Sequence, residues 1–218
     1  MGAGAVGAAV ANLAGEYGHT VVALADSSSA AVASDGSGGD DAGDGNGIDA
    51  AAALESKRAG EPLGEADPTD ALEADYDALV EATPTTLGDA QPGFGHVERA
   101  LERDRHVVLA NKGPVAERFG EVRELEEQSA GTVRFEATVG GAMPVLSTIE
   151  DFDPDHIDAV RGVLNGTANF ILSRMAAEGL GYEHVLAEAQ DLGVAEADPT
   201  FDVDGTDAAL KCVILSNV

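Results

Sequence analysis

The groups that could do chemistry begin with a glycine pattern at the start of the chain. Gly2, Gly4 and Gly7 have the spacing G-x-G-x-x-G and lead into a predicted helix. In such a turn the first glycine permits the tight bend, the second lets the backbone approach a pyrophosphate, and the third lets the helix pack against a strand. A helix N-terminus also attracts phosphate through its N–H groups and its dipole. The pattern therefore predicts that this turn, with Ala5 and Val6, binds the pyrophosphate of a dinucleotide.

A carboxylate further along the chain supports a dinucleotide site. Asp26 follows the apolar run Thr20–Ala25, which is typical of a buried strand. A carboxylate at that position can accept hydrogen bonds from the adenosine ribose, and it favours NAD over NADP because it repels a 2′-phosphate. Lys57 and Arg58 could receive such a phosphate if the fold brings them near, or they could be only a surface pair. The choice between NAD and NADP therefore stays open.

A second candidate group lies near the other end of the chain. Asp207 and Lys211 are spaced i and i+4 in a predicted helix, so they share one face. A lysine held close to a carbonyl oxygen can supply the proton that a developing alkoxide needs. On spacing alone, an exposed helix salt bridge is the commoner explanation. The chain contains only three lysines, Lys57, Lys112 and Lys211, so each one merits an explanation.

The elements that must position these groups follow from the hydrophobic periodicity. Predicted strands and helices alternate through the first part of the chain: helix 5–17, strand 20–25, strand 76–81, helix 88–103, strand 106–110, helix 114–129 and strand 132–137. Alternating strands and helices predict a parallel sheet with crossover helices. We therefore expect an α/β fold with a Rossmann-type doubly wound sheet, forming a dinucleotide-binding domain over residues 1–134.

The pattern changes after about residue 135. A turn at Gly140 and Gly141 is followed by a short helix, a strand near 157–164 and helices near 167–178, 182–192 and 205–217. We expect a separate α+β domain over residues 135–218. A doubly wound sheet needs a strand before its glycine turn, but only Met1 precedes this one, so we expect the first strand to be missing. The chain also stops at Val218, and both ends predict a shortened version of a longer protein.

Composition restricts the function classes. Forty Asp and Glu against 12 Lys and Arg give a net charge of -28, which repels nucleic acid and anionic membranes. The acidic, lysine-poor composition is typical of proteins from salt-loving organisms, where salt screens the repulsion. The polar stretch Asp35–Gly47 is expected to be a solvated loop, with a calcium loop as the alternative. No apolar run is long enough to cross a membrane, and no signal peptide is recognisable. The single cysteine cannot form an internal disulfide, so we expect a reducing cytoplasm.

Four further segments complete the comparison and add more information than the glycine pattern: Ala110–Pro114, Glu136–Pro144, Gly162–Phe170 and Ala195–Lys211. Together with the glycine turn, they resemble the homoserine dehydrogenase family, in the right order and over nearly the whole chain. The resemblance implies an oxidoreductase that interconverts L-homoserine and L-aspartate 4-semialdehyde with NAD(P), on the route to threonine and methionine. It also implies a nucleotide-binding domain, followed by a domain that binds this small-molecule substrate and forms a homodimer.

The resemblance also assigns roles to individual residues. Lys211 matches the family's acid/base and Asp207 the residue that works beside it. Glu196 matches the carboxylate that binds the amino group of the substrate. Lys112 matches a lysine near both the nicotinamide and the reacting oxygen, and Thr83 matches a position that contacts the nicotinamide half. Thr83 could equally be a simple turn residue before a proline.

The same resemblance implies a monovalent-cation loop. Glu136 would offer a side-chain oxygen, and Val139, Gly141 and Met143 would offer backbone carbonyls. Oxygen-only ligands suit a hard cation such as sodium. An ordinary strand-to-helix turn is the alternative.

Other functions remain open from the residues alone. A dehydrogenase that oxidises the same semialdehyde would need a cysteine nucleophile, and Cys212 is the only cysteine. We expect Cys212 to be a thiol of the core. A non-catalytic NAD(P) sensor on the same fold would bind the cofactor without needing Lys211. An acidic interaction protein would bind neither cofactor nor substrate.

Overall fold

The computed structural model describes residues 1–33 and 47–218, which form two compact units, Met1–Thr138 and Val139–Val218. The division falls a few residues after the expected boundary at residue 134. The expected polar loop and its calcium alternative lie outside the described residues, apart from Gly47. Among the helices in the two described ranges, none is long and apolar enough to cross a membrane.

The first unit alternates strands and helices. Its strands are β1 (Ala23–Ala25), β2 (Ala30–Val32), β3 (Ala78–Glu81), β4 (His106–Leu109) and β5 (Val133–Arg134). Its helices are α1 (Ala5–Leu13), α2 (Ala50–Arg58), α3 (Pro68–Glu73), α4 (Gly93–Glu102), α5 (Gly113–Glu117) and α6 (Phe119–Glu127), with 3₁₀ turns at Ala14–Tyr17 and Glu136–Thr138.

A parallel sheet of β3, β4 and β5 organises this unit, with β4 in the middle. Val107 and Leu109 alternate with more exposed neighbours along β4 and are fully buried. They belong to the same buried core as Val97 and Leu101 of α4. The α/β class expected from the alternation of elements is therefore confirmed, because apolar residues at period two in strands and at helical spacing in α4 both bury one face.

The region around β1 differs from the expectation. A second strand, β2, follows Asp26 where the sequence predicted no strand, and it pairs antiparallel with β1. In the described residues no strand precedes α1. Instead, the Met1 ammonium donates to the Val80 carbonyl at 2.7 Å, and the Gly2 N–H donates to the Ala25 carbonyl at 2.9 Å. The first two residues therefore link β1 to β3.

The second unit, as described, consists of helices: α7 (Val145–Phe152), α8 (Gly166–Glu178), α9 (Tyr182–Asp191), α10 (Thr200–Val203) and α11 (Thr206–Asn217), with a 3₁₀ turn at Pro154–His156. Ile171 of α8 packs with Val185 and Ala189 of α9 in its core. The strand expected near 157–164 is wrong for this structure. A strand needs a neighbour to satisfy its backbone groups, and residues 139–218 offer no other strand.

Candidate functional site

The glycine turn of the first unit is shaped by its backbone. Gly2 has a φ of +90°, and a Cβ there would lie 2.5 Å from the Ala82 backbone. A Cβ on Gly7 would lie 1.8 Å from the Gly2 carbonyl oxygen. No other residue fits at these two positions without moving the backbone. The fold itself therefore requires both glycines.

Gly4 is different, because a Cβ there would meet nothing within 4 Å. Gly4 is the N-cap of α1 and provides no side-chain cap, and the first residues of the helix, Ala5 and Val6, are exposed. The first N–H groups of a helix have no partner inside the helix, and the dipole adds positive charge there. The open space around Gly4 would allow a phosphate group to approach these N–H groups.

Asp26 lies just beyond β1 and is held by several donors. Its carboxylate forms an ion pair with Lys57 of α2 and accepts hydrogen bonds from the Ser28 N–H at 2.8 Å and the Ser29 N–H at 3.1 Å. Burial by itself would raise the pKa of Asp26, but the Lys57 and serine donors outweigh it and hold that pKa far below its usual range. The structure thus brings together Asp26, whose charge would repel a 2′-phosphate, and Lys57, whose charge would attract one.

The end of β3 carries a buried polar group that we name the Glu81 cluster: Glu81, Thr83, His96 and Asn111. Glu81 is fully buried, and its carboxylate accepts from the Thr83 N–H at 3.0 Å and lies 2.6 Å from His96 Nδ1. Asn111 Nδ2 donates to Glu81 Oε1 at 3.3 Å and to Thr83 Oγ1 at 3.1 Å. Thr83, chosen from the sequence, therefore sits within a buried hydrogen-bond cluster.

Lys112 follows Asn111 at the start of α5. Its N–H donates to Thr85 Oγ1 at 3.2 Å, and the next N–H, of Gly113, donates to Asn111 Oδ1 at 2.9 Å. These bonds fix the backbone on both sides of Lys112 relative to the loop after β3. The carboxyl ends of neighbouring parallel strands meet at one edge of a sheet, which is where ligands bind in open α/β folds.

In the second unit, Lys211 lies in what we name the lysine cluster: Asn165, Asp202, Asp207 and Lys211. Its Nζ is 2.7 Å from Asp207 Oδ2 and donates to the Leu164 carbonyl at 2.7 Å. The side chains of Lys211 and Asp207 are only 15% and 7% exposed. The i,i+4 pair is therefore mostly buried, unlike an ordinary surface salt bridge.

Asn165 completes the lysine cluster. Its Nδ2 donates to Asp207 Oδ2 at 2.9 Å and to Asp202 Oδ1 at 2.6 Å. Its Oδ1 accepts from the Ala168 N–H at 2.7 Å and so caps α8. Because the cap fixes which end of the amide faces the helix, the NH₂ group must face the two carboxylates. Sequence reasoning assigned no role to Asn165 or Asp202, since their link to Asp207 exists only in the folded chain.

Glu196 and Cys212 lie outside these contacts. Glu196 is exposed, and only its carbonyl is held, by Gln190 Nε2 at 3.1 Å. The expectation that Cys212 is a core thiol is wrong, because it is exposed. Leu210 and Ile214 of the same helix are buried, and a residue two positions from each projects from the opposite side.

The residues of the expected cation loop are split between the two units. Glu136 lies in the 3₁₀ turn that ends the first unit, while Val139, Gly141 and Met143 begin the second. Val139 is buried, and Met143 is 62% exposed. Within the described part of the chain, no group of three or more His, Cys, Asp or Glu side chains could hold a metal ion.

Comparison with known proteins shows what the chain is similar to. A sequence profile of homoserine dehydrogenase matches residues 144–218. The homoserine dehydrogenase of Methanocaldococcus jannaschii is 44% identical over 146 residues, covering 66% of this chain and 44% of that relative. A structure from Archaeoglobus fulgidus with a provisional homoserine dehydrogenase name is 39% identical, covers all of this chain and 65% of its own, and has a TM-score of 0.81. The chain is therefore similar to homoserine dehydrogenases in sequence and in fold.

A further family structure adds a ligand. A hyperthermophilic archaeal homoserine dehydrogenase in complex with NADPH aligns with 98% of this chain and 66% of its own, at 26% identity and a TM-score of 0.73. The present chain spans less than half of the Methanocaldococcus homoserine dehydrogenase and about two thirds of the two structures. Within that span it contains both the glycine turn and the lysine cluster.

Proposed function

We propose that this chain takes part in the NAD(P)-dependent interconversion of L-homoserine and L-aspartate 4-semialdehyde, as an oxidoreductase. The observation that carries the proposal is the largely buried Lys211, whose Nζ is held by Asp207 and the Leu164 carbonyl. Burial of an ammonium group is costly unless it is paired and hydrogen-bonded, and both partners are present here. Such a fixed amine suits proton transfer to a reacting oxygen.

The first unit provides the residues that would hold the cofactor. The pyrophosphate would lie on the uncapped start of α1, where Gly4 leaves open space and Gly2 and Gly7 complete the turn. Asp26 would accept hydrogen bonds from the adenosine ribose, and Thr83 and Lys112 would contact the nicotinamide half. When bound, the nicotinamide supplies hydride to the substrate carbonyl carbon or accepts it in the reverse direction.

The second unit provides the acid/base chemistry. Lys211 Nζ would donate a proton to the substrate oxygen as the aldehyde becomes an alcohol, and would accept it in the reverse direction. Asp207 forms an ion pair with Lys211 and fixes the direction of its Nζ. Glu196, which is exposed, would bind the ammonium group of the substrate through a charge-assisted hydrogen bond.

Four finer proposals come with this function. The reaction would belong to threonine and methionine biosynthesis in a reducing cytoplasm. The second unit would form a homodimer, which light scattering on the purified chain can test. Glu136 with the carbonyls of Val139, Gly141 and Met143 would hold sodium, since oxygen donors suit a hard monovalent cation. The net charge of -28 would require high salt to screen the repulsion between carboxylates, so homoserine turnover should fall when salt is removed by dialysis.

The deciding experiment is a rate assay for homoserine-dependent reduction of NAD⁺ and of NADP⁺ at high salt. Lys211→Met should lower kcat by about 10²- to 10⁴-fold, the usual contribution of a general acid or base. The matched control is Arg161→Met, which also removes one positive charge, from an exposed position of the same unit. Unchanged turnover in Lys211→Met would refute the mechanism. Cofactor binding without any homoserine turnover in the unmodified chain would instead support a nucleotide sensor.

A further inference from the structure

Glu81 is a buried carboxylate that the proposed reaction does not use directly. It ends β3, and none of its surface is exposed. A buried carboxylate is costly unless its oxygens are hydrogen-bonded and its charge is balanced. An apolar residue would fill the end of an apolar strand at lower cost. Packing alone therefore does not explain why Glu81 occupies this position.

The partners of Glu81 come from three different segments. Oε1 accepts from the Thr83 N–H and from the Thr83 hydroxyl, in the loop after β3. The same oxygen accepts from Asn111 Nδ2 at 3.3 Å, in the loop after β4. Oε2 lies 2.6 Å from Nδ1 of His96 on α4. One carboxylate thus joins two strand-end loops to a helix.

Hydrogen bonds to Glu81 keep it ionised. Burial by itself would raise the pKa of Glu81, but the hydrogen bonds from His96 and Thr83 outweigh it and hold that pKa below its ordinary value. His96, on α4, faces the carboxylate directly. A stable negative charge lets Oε1 accept the Thr83 and Asn111 donors strongly.

The consequences reach the nicotinamide end of the site. Asn111 can place its NH₂ group on Glu81 and Thr83 while its Oδ1 accepts the Gly113 N–H at 2.9 Å. That arrangement fixes the backbone on either side of Lys112. α4 packs so tightly here that a Cβ on Gly93 would lie 2.4 Å from Asn111 Nδ2. The backbone of α4 at Gly93 therefore packs directly against the side chain of Asn111.

We propose that Glu81 is a positioning residue: through Thr83 and Asn111 it fixes the orientation of the Thr83 hydroxyl and of Lys112, with His96 as its hydrogen-bond partner. The inference rests on the proposed function, because that function places Thr83 and Lys112 at the nicotinamide. It adds two residues, Glu81 and His96, whose effect on the reaction passes entirely through their neighbours.

The first test is Glu81→Gln, which keeps the size of the side chain and removes its charge. We expect kcat to fall by about tenfold or more, because a small misplacement of a reacting group is costly. The dissociation constant for NADPH should stay within about twofold, because the glycine turn holds the phosphates independently of Glu81. This split between turnover and binding separates positioning from general damage.

His96 offers a matched pair of variants. His96→Asn places an amide donor near the position of Nδ1, and we expect it to keep kcat within about threefold of the unmodified chain. His96→Leu removes the donor and leaves the carboxylate without its partner, so we expect it to resemble Glu81→Gln. Equal kcat in His96→Asn and His96→Leu would overturn the role of His96. Lowered thermal stability with unchanged kcat in Glu81→Gln would show that Glu81 is only structural.

A second measurement decides the inference without turnover. Hydrogen–deuterium exchange at the amides of Thr83 and Gly113 should be faster in Glu81→Gln, with exchange in α11 unchanged as the internal control. Unchanged exchange at both amides would overturn the proposal even if the unmodified chain turns over no homoserine. Failure of the proposed function itself would show differently, as an absence of NADPH binding and turnover in the unmodified chain.

Discussion

Asn165 of the lysine cluster has two roles that substitutions can separate: it caps a helix, and it contacts the proposed catalytic Asp207. Its Oδ1 caps α8, while its Nδ2 donates to Asp207 and Asp202. Asn165→Asp keeps the cap, because Asp and Asn are about equally good N-caps. It replaces the amide donor with a third carboxylate. We therefore predict a variant that folds but has lost most of its activity.

The size of the effect follows from the distances. Asn165 Nδ2 lies 2.9 Å from Asp207 Oδ2 and 2.6 Å from Asp202 Oδ1, and hydrogen bonds to charged groups contribute about 1.5–3 kcal/mol each. A new negative charge about 4 Å from another costs about 4 kcal/mol near a protein surface. Even if protonation relieves most of this repulsion, about 3 kcal/mol should remain. That corresponds to a loss of about a hundredfold in rate.

The assay is kcat/KM for homoserine, measured beside thermal unfolding of each variant. Asn165→Ser keeps a capping oxygen and adds no charge, so it should lose about tenfold in kcat/KM through the missing donors. Asn165→Ala removes both the donors and the cap, and should also lose about 1 kcal/mol of stability. Activity of Asn165→Asp at the unmodified level would refute the placement of Asp207 and Lys211 at the reaction centre. Activity losses that simply followed thermal stability across the three variants would refute the positioning argument.

Three further predictions concern the first unit. Gly4→Ala should fold normally but weaken NADPH binding. Gly7→Ala should unfold at a lower temperature, because its Cβ would lie 1.8 Å from a backbone oxygen. Melting curves and cofactor titrations distinguish the two variants. Lys57→Met frees Asp26 from its ion pair, so the ratio of KM for NADP⁺ to KM for NAD⁺ should rise; an unchanged ratio would exclude Lys57 from the ribose site. Burial by itself would raise the pKa of Glu81, but the His96 and Thr83 hydrogen bonds lower that pKa below its ordinary value of 4.5. The contribution of ionised Glu81 to the free energy of unfolding should therefore be complete above about pH 4.5, and it should be lost as the pH falls through the pKa of the folded state. Glu81→Gln should flatten that acid limb in denaturant titrations.

The sequence by itself predicted features that depend on neighbours along the chain. The glycine turn follows from three residues at fixed spacing, and β4 follows from a short apolar run after His106. The face shared by Asp207 and Lys211 follows from helical geometry alone. Such features need only local conformational preferences, so their signals are complete within one segment.

The tertiary structure decided what depends on distant segments. The strand expected near 157–164 does not form, because strand formation needs a partner as well as apolar residues. Cys212 is exposed because of where its helix packs. Asn165 meets Asp207 across 42 positions of the sequence, and Glu81 meets Asn111 across 30. Such contacts form only when folding brings the chain ends of several elements together, so no single segment carries a signal for them.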